Sequence, residues 1–286
     1  MAESSPLVSV IVACYNHAQY IEACLSSILR QTYPAIELIV IDDGSKDASV
    51  EVISALAKQH NFYFEAQANI GLSATLNKGI EIAKGEYIIT FGSDDIMMLD
   101  RIEKQVAHMQ ANPDLGLCGG NMLKINEHGT ILSRQKVNGE DRLNFEDVLL
   151  GRKEGTPAPT LFFRKEALEK AGGFHPEIKL EDLYIELKIS SLGYPIGYMN
   201  DILAYYRVHP NNTYKNYRYM IDNVLRTYEE FSDHPDYWQA YYKFLNSMFV
   251  KCAPKDKPLA RELLKQIPLR EYRMKTLKGI GRLLFG

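Results

Sequence analysis

The run Gly85-Glu86-Tyr87-Ile88-Ile89-Thr90-Phe91-Gly92-Ser93-Asp94-Asp95 limits what this chain can fold into more than any other stretch. Tyr87 to Phe91 is apolar and β-favouring, and it passes through two small residues into adjacent acids. That pattern predicts a buried strand with Asp94 and Asp95 at its carboxyl end. In open α/β sheets ligands bind along that rim. Two carboxylates crowded there repel unless a cation neutralises them, and oxygen ligands suit Mg²⁺ or Mn²⁺. Such an ion keeps phosphate oxygens among its other ligands, so the stretch points to a metal-bound nucleotide diphosphate. A helix N-cap at Asp95 is the competing explanation of the same residues.

The preceding segments repeat the strand-then-polar theme. Val8 to Ala13 is a continuous apolar strand ending in Cys14-Tyr15-Asn16, followed by a helix with Ile21, Cys24, Leu25, Ile28 and Leu29 at helical spacing. Ile36 to Ile41 is a second buried strand, ending in Asp42-Asp43-Gly44-Ser45, with a helix from about residue 47 to 58. Phe62 to Glu65 predicts a third strand. Asn69-Ile70-Gly71-Leu72 opens a helix with Leu72, Leu76, Ile80 and Ala83 on one face. After Asp95 a helix carries Leu99, Ile102, Val106 and Met109 on one stripe. Apolar strands alternating with helices imply a parallel sheet covered on both faces.

The strand ends could meet one ligand. Tyr15 offers a flat aromatic face for a base, and Asp42, Asp43 and Asn69 can hydrogen-bond ring N–H groups or ribose hydroxyls. Each alone is also a common turn residue. No GxGxxG follows a strand and no GxxxxGK[ST] occurs, which argues against a dehydrogenase or a P-loop kinase.

Composition narrows the class. The 286 residues are 46% hydrophobic and 24% charged, enough for one large core and a smaller appendage. Met1 to Pro6 is polar, so no signal peptide is expected, and no apolar run approaches the roughly 18 residues that span a bilayer. Cys14, Cys24, Cys118 and Cys252 are scattered among apolar neighbours, which reads as reduced core thiols of a cytoplasmic protein. Without a secretion signal, the Asn211-Asn212-Thr213 glycosylation match carries no weight. The net charge of −3 is uneven: residues 251–286 hold ten Lys/Arg against three acids, leaving an acidic body with a basic tail. That distribution argues against nucleic acid as a partner and for a local anionic contact.

The ordered blocks Val8 to Asn16, Asp42-Asp43-Gly44-Ser45, Asn69-Ile70-Gly71-Leu72-Ser73 and Gly85 to Asp95 resemble the family 2 glycosyltransferases, in particular those of bacterial surface-polysaccharide synthesis. The likeness runs to about residue 213, some three quarters of the chain. It implies a GT-A fold: an α/β, Rossmann-like mixed sheet flanked by helices. It also implies a nucleotide-sugar donor (most often a UDP-sugar), Mn²⁺ or Mg²⁺, and transfer with inversion. The matching positions place Ala13, Tyr15, Asp42, Asp43, Asn69, Ser93 and Asp94 at the nucleotide. The metal falls to Asp94, Asp95 and, from the block Ala204 to His209, to His209. Arg207, Glu181 and Thr156 become diphosphate, donor or acceptor contacts. The family often has Asp where this chain has Gly92, so the ribose contact of that acid is absent or replaced.

Beyond Asp95 the local signals thin out. Gly116 to Ile125 predicts a strand, Asn126 to Asn138 a polar turn region, Phe145 to Leu150 a short helix. Gly155-Thr156-Pro157-Ala158-Pro159 predicts a rigid loop into a strand over 160–163, then a helix over 165–171 closed by Gly172-Gly173. In the family this loop lies under the donor sugar and faces the acceptor. Leu180-Glu181-Asp182-Leu183 matches the acidic motif whose Asp is the catalytic base. Residues 183–189 alternate as in a strand, but Glu186, Leu187 and Lys188 favour helix and the segment is long, so a helix from Glu181 is expected.

From residue 214 aromatics become dense, and three or four helices broken near Pro235 and Pro254 are expected as a C-terminal helical region, 214–286, beside a catalytic domain, 1–213. In residues 270–286, Met274, Leu277, Ile280 and Leu284 form one helical stripe with Lys275, Lys278 and Arg282 off it. That pattern suits an anionic membrane surface, and with it a lipid-linked or glycan acceptor on the inner face of the cell membrane. Docking of the stripe on the protein's own body competes, and Gly279 and Gly281 weaken a helix there. Two other functions fit parts of the pattern: a nucleotidyltransferase, which usually has a Gly-rich basic loop where this chain has Tyr15-Asn16-His17, and an inactive nucleotide-sugar or glycan binding module, suggested by Gly92.

Overall fold

The computed structural model describes residues 5–132, 137–210, 212 and 216–285. Asn211, Thr213 and Tyr214, which carry the expected domain boundary and most of the glycosylation match, lie outside the described residues. The chain forms two compact units, 1–145 with 154–210, and 146–153 with 211–286.

The first unit begins as the sequence predicts. Strands β1 (Val8–Cys14), β2 (Ile36–Asp42), β3 (Tyr63–Ala66) and β4 (Tyr87–Gly92) alternate with helices α1 (Ile21–Leu29), α2 (Ser49–His60) and α3 (Leu72–Ile82). The four strands are parallel, in the order β3-β2-β1-β4. Val10, Ile11, Val12, Ile39, Val40 and Ile41 are fully buried, each such side chain contributing about 1.5–3 kcal/mol relative to exposure. Helix α3 approaches β1 closely because Gly79 has no side chain: a Cβ there would stand 2.4 Å from Ile11 Cγ2.

After β4 the structure departs from the expected straight run into a helix. Residues Ile96–Met97 form a short strand, β5, and α4 spans Arg101–Ala111. Leu99, expected on the apolar stripe, precedes α4 and is 58% exposed. Strand β6 (Leu117–Ile125) is followed by β7 (Asp141–Leu143), helix α5 (Phe145–Leu149), a 3-10 turn at Ala158–Thr160, β8 (Phe162–Arg164), α6 (Lys165–Lys170), α7 (Glu181–Ser191) and β9 (Ile196–Arg207). The segment 181–191 is helical, because its buried positions Tyr184, Ile185, Leu187 and Ile189 are spread around the helix rather than along one strand face. The sheet continues β4-β8-β6-β9-β5, with β7 also on β9, giving nine strands among the described residues. β8 is antiparallel to both β4 and β6, and β6 is parallel to β9. Strands β1, β2, β3, β4, β6 and β9 therefore all end on one rim.

In the second unit α8 (Tyr217–Glu229), α9 (Tyr237–Cys252), α10 (Lys257–Gln266) and α11 (Met274–Phe285) pack on a core of Ile221, Leu245, Phe249, Cys252, Leu263 and Leu283. Asn216 and Asp256 cap α8 and α10 through bonds accepted from Tyr219 N and Leu259 N. Gly279 is a docking feature rather than a weak point: a Cβ would stand 2.6 Å from Phe249 Cε1, so its absence lets α11 lie on α9. The expected stripe on α11 is divided. Thr276, Gly279 and Leu283 are buried and Ile280 is partly buried, while Met274, Leu277 and Leu284 are exposed. Among the described residues no helix is long and apolar enough to cross a membrane.

Candidate active site

The rim is assembled by loops that hold one another. After β1, Asn16 takes a left-handed φ of 55°. Its N–H donates to Ser45 Oγ (2.8 Å), while Asn16 Oδ1 accepts from Lys46 N (2.7 Å). His17 N donates to Ser49 Oγ at 3.1 Å and Ala18 N to Asp47 Oδ2 at 3.0 Å. Tyr15 is left with its side chain 48% exposed at this edge, and Ala13 lies between Ile41 and Gly92 in the sheet register.

The expected nucleotide acids have structural duties here. Asp42 is fully buried, with Oδ1 and Oδ2 accepting from Ser45 N (2.8 Å) and Ser45 Oγ (2.6 Å). Asp43 accepts from Gln67 Nε2 (3.0 Å), Ile70 N (2.8 Å) and Gly71 N (2.9 Å), and Asn69 Nδ2 donates to Asp43 O at 2.7 Å. The two acids thus shape the turns after β2 and β3, and Asn69 remains exposed at the edge.

The paired acids after β4 separate. Asp94 turns to His209, whose Nε2 is 2.9 Å from Asp94 Oδ2; both side chains are mostly buried. Asp95 is buried and accepts the Arg207 N–H at 2.8 Å, so it caps no helix. Burial and the Asp94 charge push the Asp95 carboxyl well above its ordinary pKa. Arg207, expected at the diphosphate, is itself buried. Its guanidinium donates to Asp94 O (2.7 Å), Asn126 O (3.2 Å) and Glu127 O (3.0 Å) and lies over the Tyr20 ring. Ser93, also buried, hydrogen-bonds His17 Nδ1 through its hydroxyl at 2.7 Å. One ligand atom each from His17, Asp94 and His209 lies within 4.8 Å of the others, a donor set that fits a divalent cation. Gly92 has a local reason: a Cβ there would stand 3.0 Å from Asp95 Oδ2 and 3.1 Å from Asp94 Oδ1.

A second ionisable cluster opens α7. Glu181 and Asp182 are half-buried and Glu186, one turn on, is buried. Glu186 Oε1 accepts from Thr156 N at 3.0 Å, and Gly155 leaves room for its other oxygen. Burial, then the Asp182 charge, pushes Glu181 up to about 8 and Glu186 well above the carboxylate range. Burial raises Asp182 as well, opposed by the bond from Leu183 N. Among the described residues the Thr156 hydroxyl is a buried side-chain oxygen with no hydrogen-bond partner. The loop around it is pinned by Arg101, which is fully buried and donates to Pro159 O (2.5 Å) and Leu161 O (3.0 Å).

The sequence did not single out His17, Arg101 or Glu186. His17 had one available signal, its place immediately after the first strand. Arg101 and Glu186 sit in ordinary helical sequence, where nothing distinguishes a buried charge from a surface one.

A mixed sheet of this order, flanked by helices and with polar and ionisable side chains on the carboxyl rim, is the GT-A fold. Residues 9–172 match the model of Glycosyl transferase family 2, and the chain belongs to that family of glycosyltransferases. It is 28% identical over 204 residues to the amylovoran biosynthesis glycosyltransferase AmsE of Erwinia amylovora, covering 69% of this chain and 74% of that protein. It is 30% identical over 196 residues to the poly-beta-1,6-N-acetyl-D-glucosamine synthase of Staphylococcus epidermidis, covering 67% of this chain but only 47% of the synthase. Two solved structures share the fold. S. aureus TarS 1-349 in complex with UDP-GlcNAc has a TM-score of 0.70 at 16% identity over 97% of this chain and 88% of that one. The mannosyltransferase PcManGT from Pyrobaculum calidifontis, in complex with GDP-Man and Mn2+, gives 0.66 at 18% over 99% and 88%.

Proposed function

We propose that the chain is a metal-dependent inverting glycosyltransferase that moves a sugar from a nucleotide diphosphate, a UDP-sugar foremost, to a hydroxyl of a glycan or lipid-linked acceptor in surface-polysaccharide synthesis. The observation that carries this reading is the His209–Asp94 pair at the carboxyl rim of a family 2 domain. UDP-GlcNAc in TarS, GDP-Man with Mn2+ in PcManGT and the polymer named for the staphylococcal synthase support it by likeness.

Asp94 and His209 would hold the cation, Mn²⁺ or Mg²⁺, which when bound would offset the negative charge of a diphosphate leaving group. Tyr15 stacks on the base, while Ala13, Asp43, Asn69 and Ser93 line the nucleotide edge that Asp42 and Arg207 build from behind. Asp182 accepts the proton of the acceptor hydroxyl as that oxygen bonds to the anomeric carbon and the bond to the diphosphate breaks on the opposite face. Thr156 and Glu181 face donor or acceptor hydroxyls.

In the second unit Leu269, Met274, Leu277 and Leu284 are exposed beside Arg270, Arg273, Lys275, Lys278 and Arg282. This combination suits peripheral binding to anionic lipid on the cytoplasmic face. Flotation with anionic liposomes should fall with added salt and be lost in a Leu277→Asp, Leu284→Asp variant; retention by that variant sinks the membrane contact.

The test of the activity is release of free nucleotide from a panel of nucleotide sugars, with Mn²⁺ and with chelator, followed by NMR of the new anomeric linkage. Metal-dependent release with inversion is expected. Pyrophosphate exchange instead of sugar transfer would mark a nucleotidyltransferase, and binding without turnover a binding module.

A further inference from the structure

The donor set at the rim contains His17, which the family resemblance does not assign to the metal, in place of Asp95, whose carboxylate is taken up by Arg207 N. We propose that His17 is a third protein ligand of the divalent cation, making a two-histidine, one-carboxylate site that selects Mn²⁺ over Mg²⁺. This rests on the metal-dependent reading above and adds a residue and an ion preference to it.

Distance is the first argument. Donors in neighbouring positions of an octahedron, each about 2.1 Å from the ion, stand roughly 3.0 Å apart, and donors on opposite sides about 4.2 Å. His209 Nε2 and Asp94 Oδ2, 2.9 Å apart, match a neighbouring pair. The His17 ligand atom lies within 4.8 Å of both, and since it can stand opposite only one of them, closing all three onto one ion takes a side-chain movement of up to about 2 Å.

His17 is also held in place. Its main chain follows the left-handed Asn16 and is tied to Ser49, its Nδ1 meets the Ser93 hydroxyl, and its ring packs edge-on against Tyr20 at 5.9 Å and His209 at 5.8 Å. An imidazole fixed by a second hydrogen bond is the usual state of a metal-ligating histidine. The three ligands come from the ends of β1, β4 and β9, so the sheet itself sets their spacing.

The chemistry sets the ion. Mg²⁺ demands oxygen ligands and keeps its waters, whereas imidazole nitrogen favours first-row transition ions. Two neutral imidazoles and one carboxylate leave a divalent ion with a net charge of +1 to attract a diphosphate. Gly92 fits the same picture: where an added acid would crowd Asp94 and Asp95, the chain supplies a nitrogen from the neighbouring strand instead.

The experiment uses the full chain, UDP as the nucleotide probe, and Mn²⁺ and Mg²⁺ in calorimetric titrations, with pulsed EPR of bound Mn²⁺ to count coupled imidazole nitrogens. Wild type should bind Mn²⁺ with UDP at least tenfold tighter than Mg²⁺ and show two imidazoles. His17→Gln, which keeps a polar group for Ser93, should lose tenfold or more in Mn²⁺ affinity, change under threefold for Mg²⁺, and show one imidazole at an unchanged melting temperature. If His17→Gln keeps wild-type Mn²⁺ affinity and two imidazoles while Asp94→Ala loses the ion, the inference fails and the metal-dependent reading stands. If wild type with UDP binds no Mn²⁺, both fail together.

Discussion

At the sheet rim a single outward carboxylate, Asp94, meets His209 at 2.9 Å and shares its surroundings with His17. At the start of α7 three carboxyls, Glu181, Asp182 and Glu186, stand within little more than one helical turn, and the Thr156 N–H meets only Glu186. Both places are largely removed from water, yet they respond differently. Imidazole nitrogens around one acid create a donor set suited to a divalent ion. Buried carboxyls packed beside one another create a place that gains from an added proton: burial raises all three acids, and the Asp182 charge adds to it at Glu181 and Glu186. The proposed ion site and the proposed proton site are thereby chemically distinct.

The sharpest way to break that contrast is Asp182→Asn. It preserves shape but removes the proposed proton acceptor, so kcat should fall by about a thousandfold while donor affinity stays within about threefold. A near wild-type turnover, measured as nucleotide release, would show that α7 is not the proton site. Next in size, Asp94→Ala should weaken UDP binding roughly a hundredfold with Mn²⁺ present and leave it unchanged with chelator. His209→Ala should act in the same direction by about tenfold, read by calorimetry.

The pH profile sharpens the proton side. Asp182 accepts a proton only when ionised, and burial raises its pKa above the ordinary 3.8. Activity should therefore be lost as pH falls through that raised value, about tenfold per unit on the acid limb. Because burial, then the Asp182 charge, pushes Glu181 up to about 8, the limb belongs to the pair rather than to one residue. An acid limb near pH 4 would contradict the burial described here.

The smallest effect concerns stability. Burial in the folded chain favours protonated Glu186 to well above its ordinary value of 4.5, while the unfolded chain ionises it near that value. Wild-type stability from this group is thus fully present below that value and declines as pH rises toward the raised folded pKa, by up to about 1.4 kcal/mol per pH unit. Glu186→Gln keeps an acceptor for Thr156 N and lacks that decline. Its melting temperature should exceed wild type by a few degrees at neutral pH and converge with it near pH 4, as followed by thermal denaturation.

How much of this was readable beforehand depended on local pattern. The parallel half, β1 to β4, was legible because uninterrupted apolar strands end in acids and small turn residues. Strand β9 was not, because Asn200-Asp201 interrupts its apolar run like a turn, and the partner β6 is irregular at Gly120 to Met122. β5 is too short to leave a signal. Asp94 and His209 could be found through motif likeness, and Asp182 could be nominated in the same way. The division of labour between Asp94 and Asp95 could not, since it depends on Arg207 arriving from 112 residues away. Of the α11 stripe only Ile280 packs on the core of its unit, which helical spacing alone does not tell, since it marks an apolar arc and not the part of it that is covered.

The latch between β4 and β9 also bears on the life of the molecule. Arg207 gives its main-chain N–H to Asp95 and its side-chain N–H to Asp94 O, joining segments that are 112 and 113 residues apart. Asp94 and His209, separated by 115 positions, reach each other only when β9 has entered the sheet. An unfolded or half-built chain has no comparable grip on the cation proposed above, so ion binding feeds directly into folding free energy, about 2.7 kcal/mol at a hundred times Kd. Loading would then act as a seal on β9, slowing its release from the strands on either side of it. A cell depleted of the ion would hold fewer copies of the enzyme as well as slower ones.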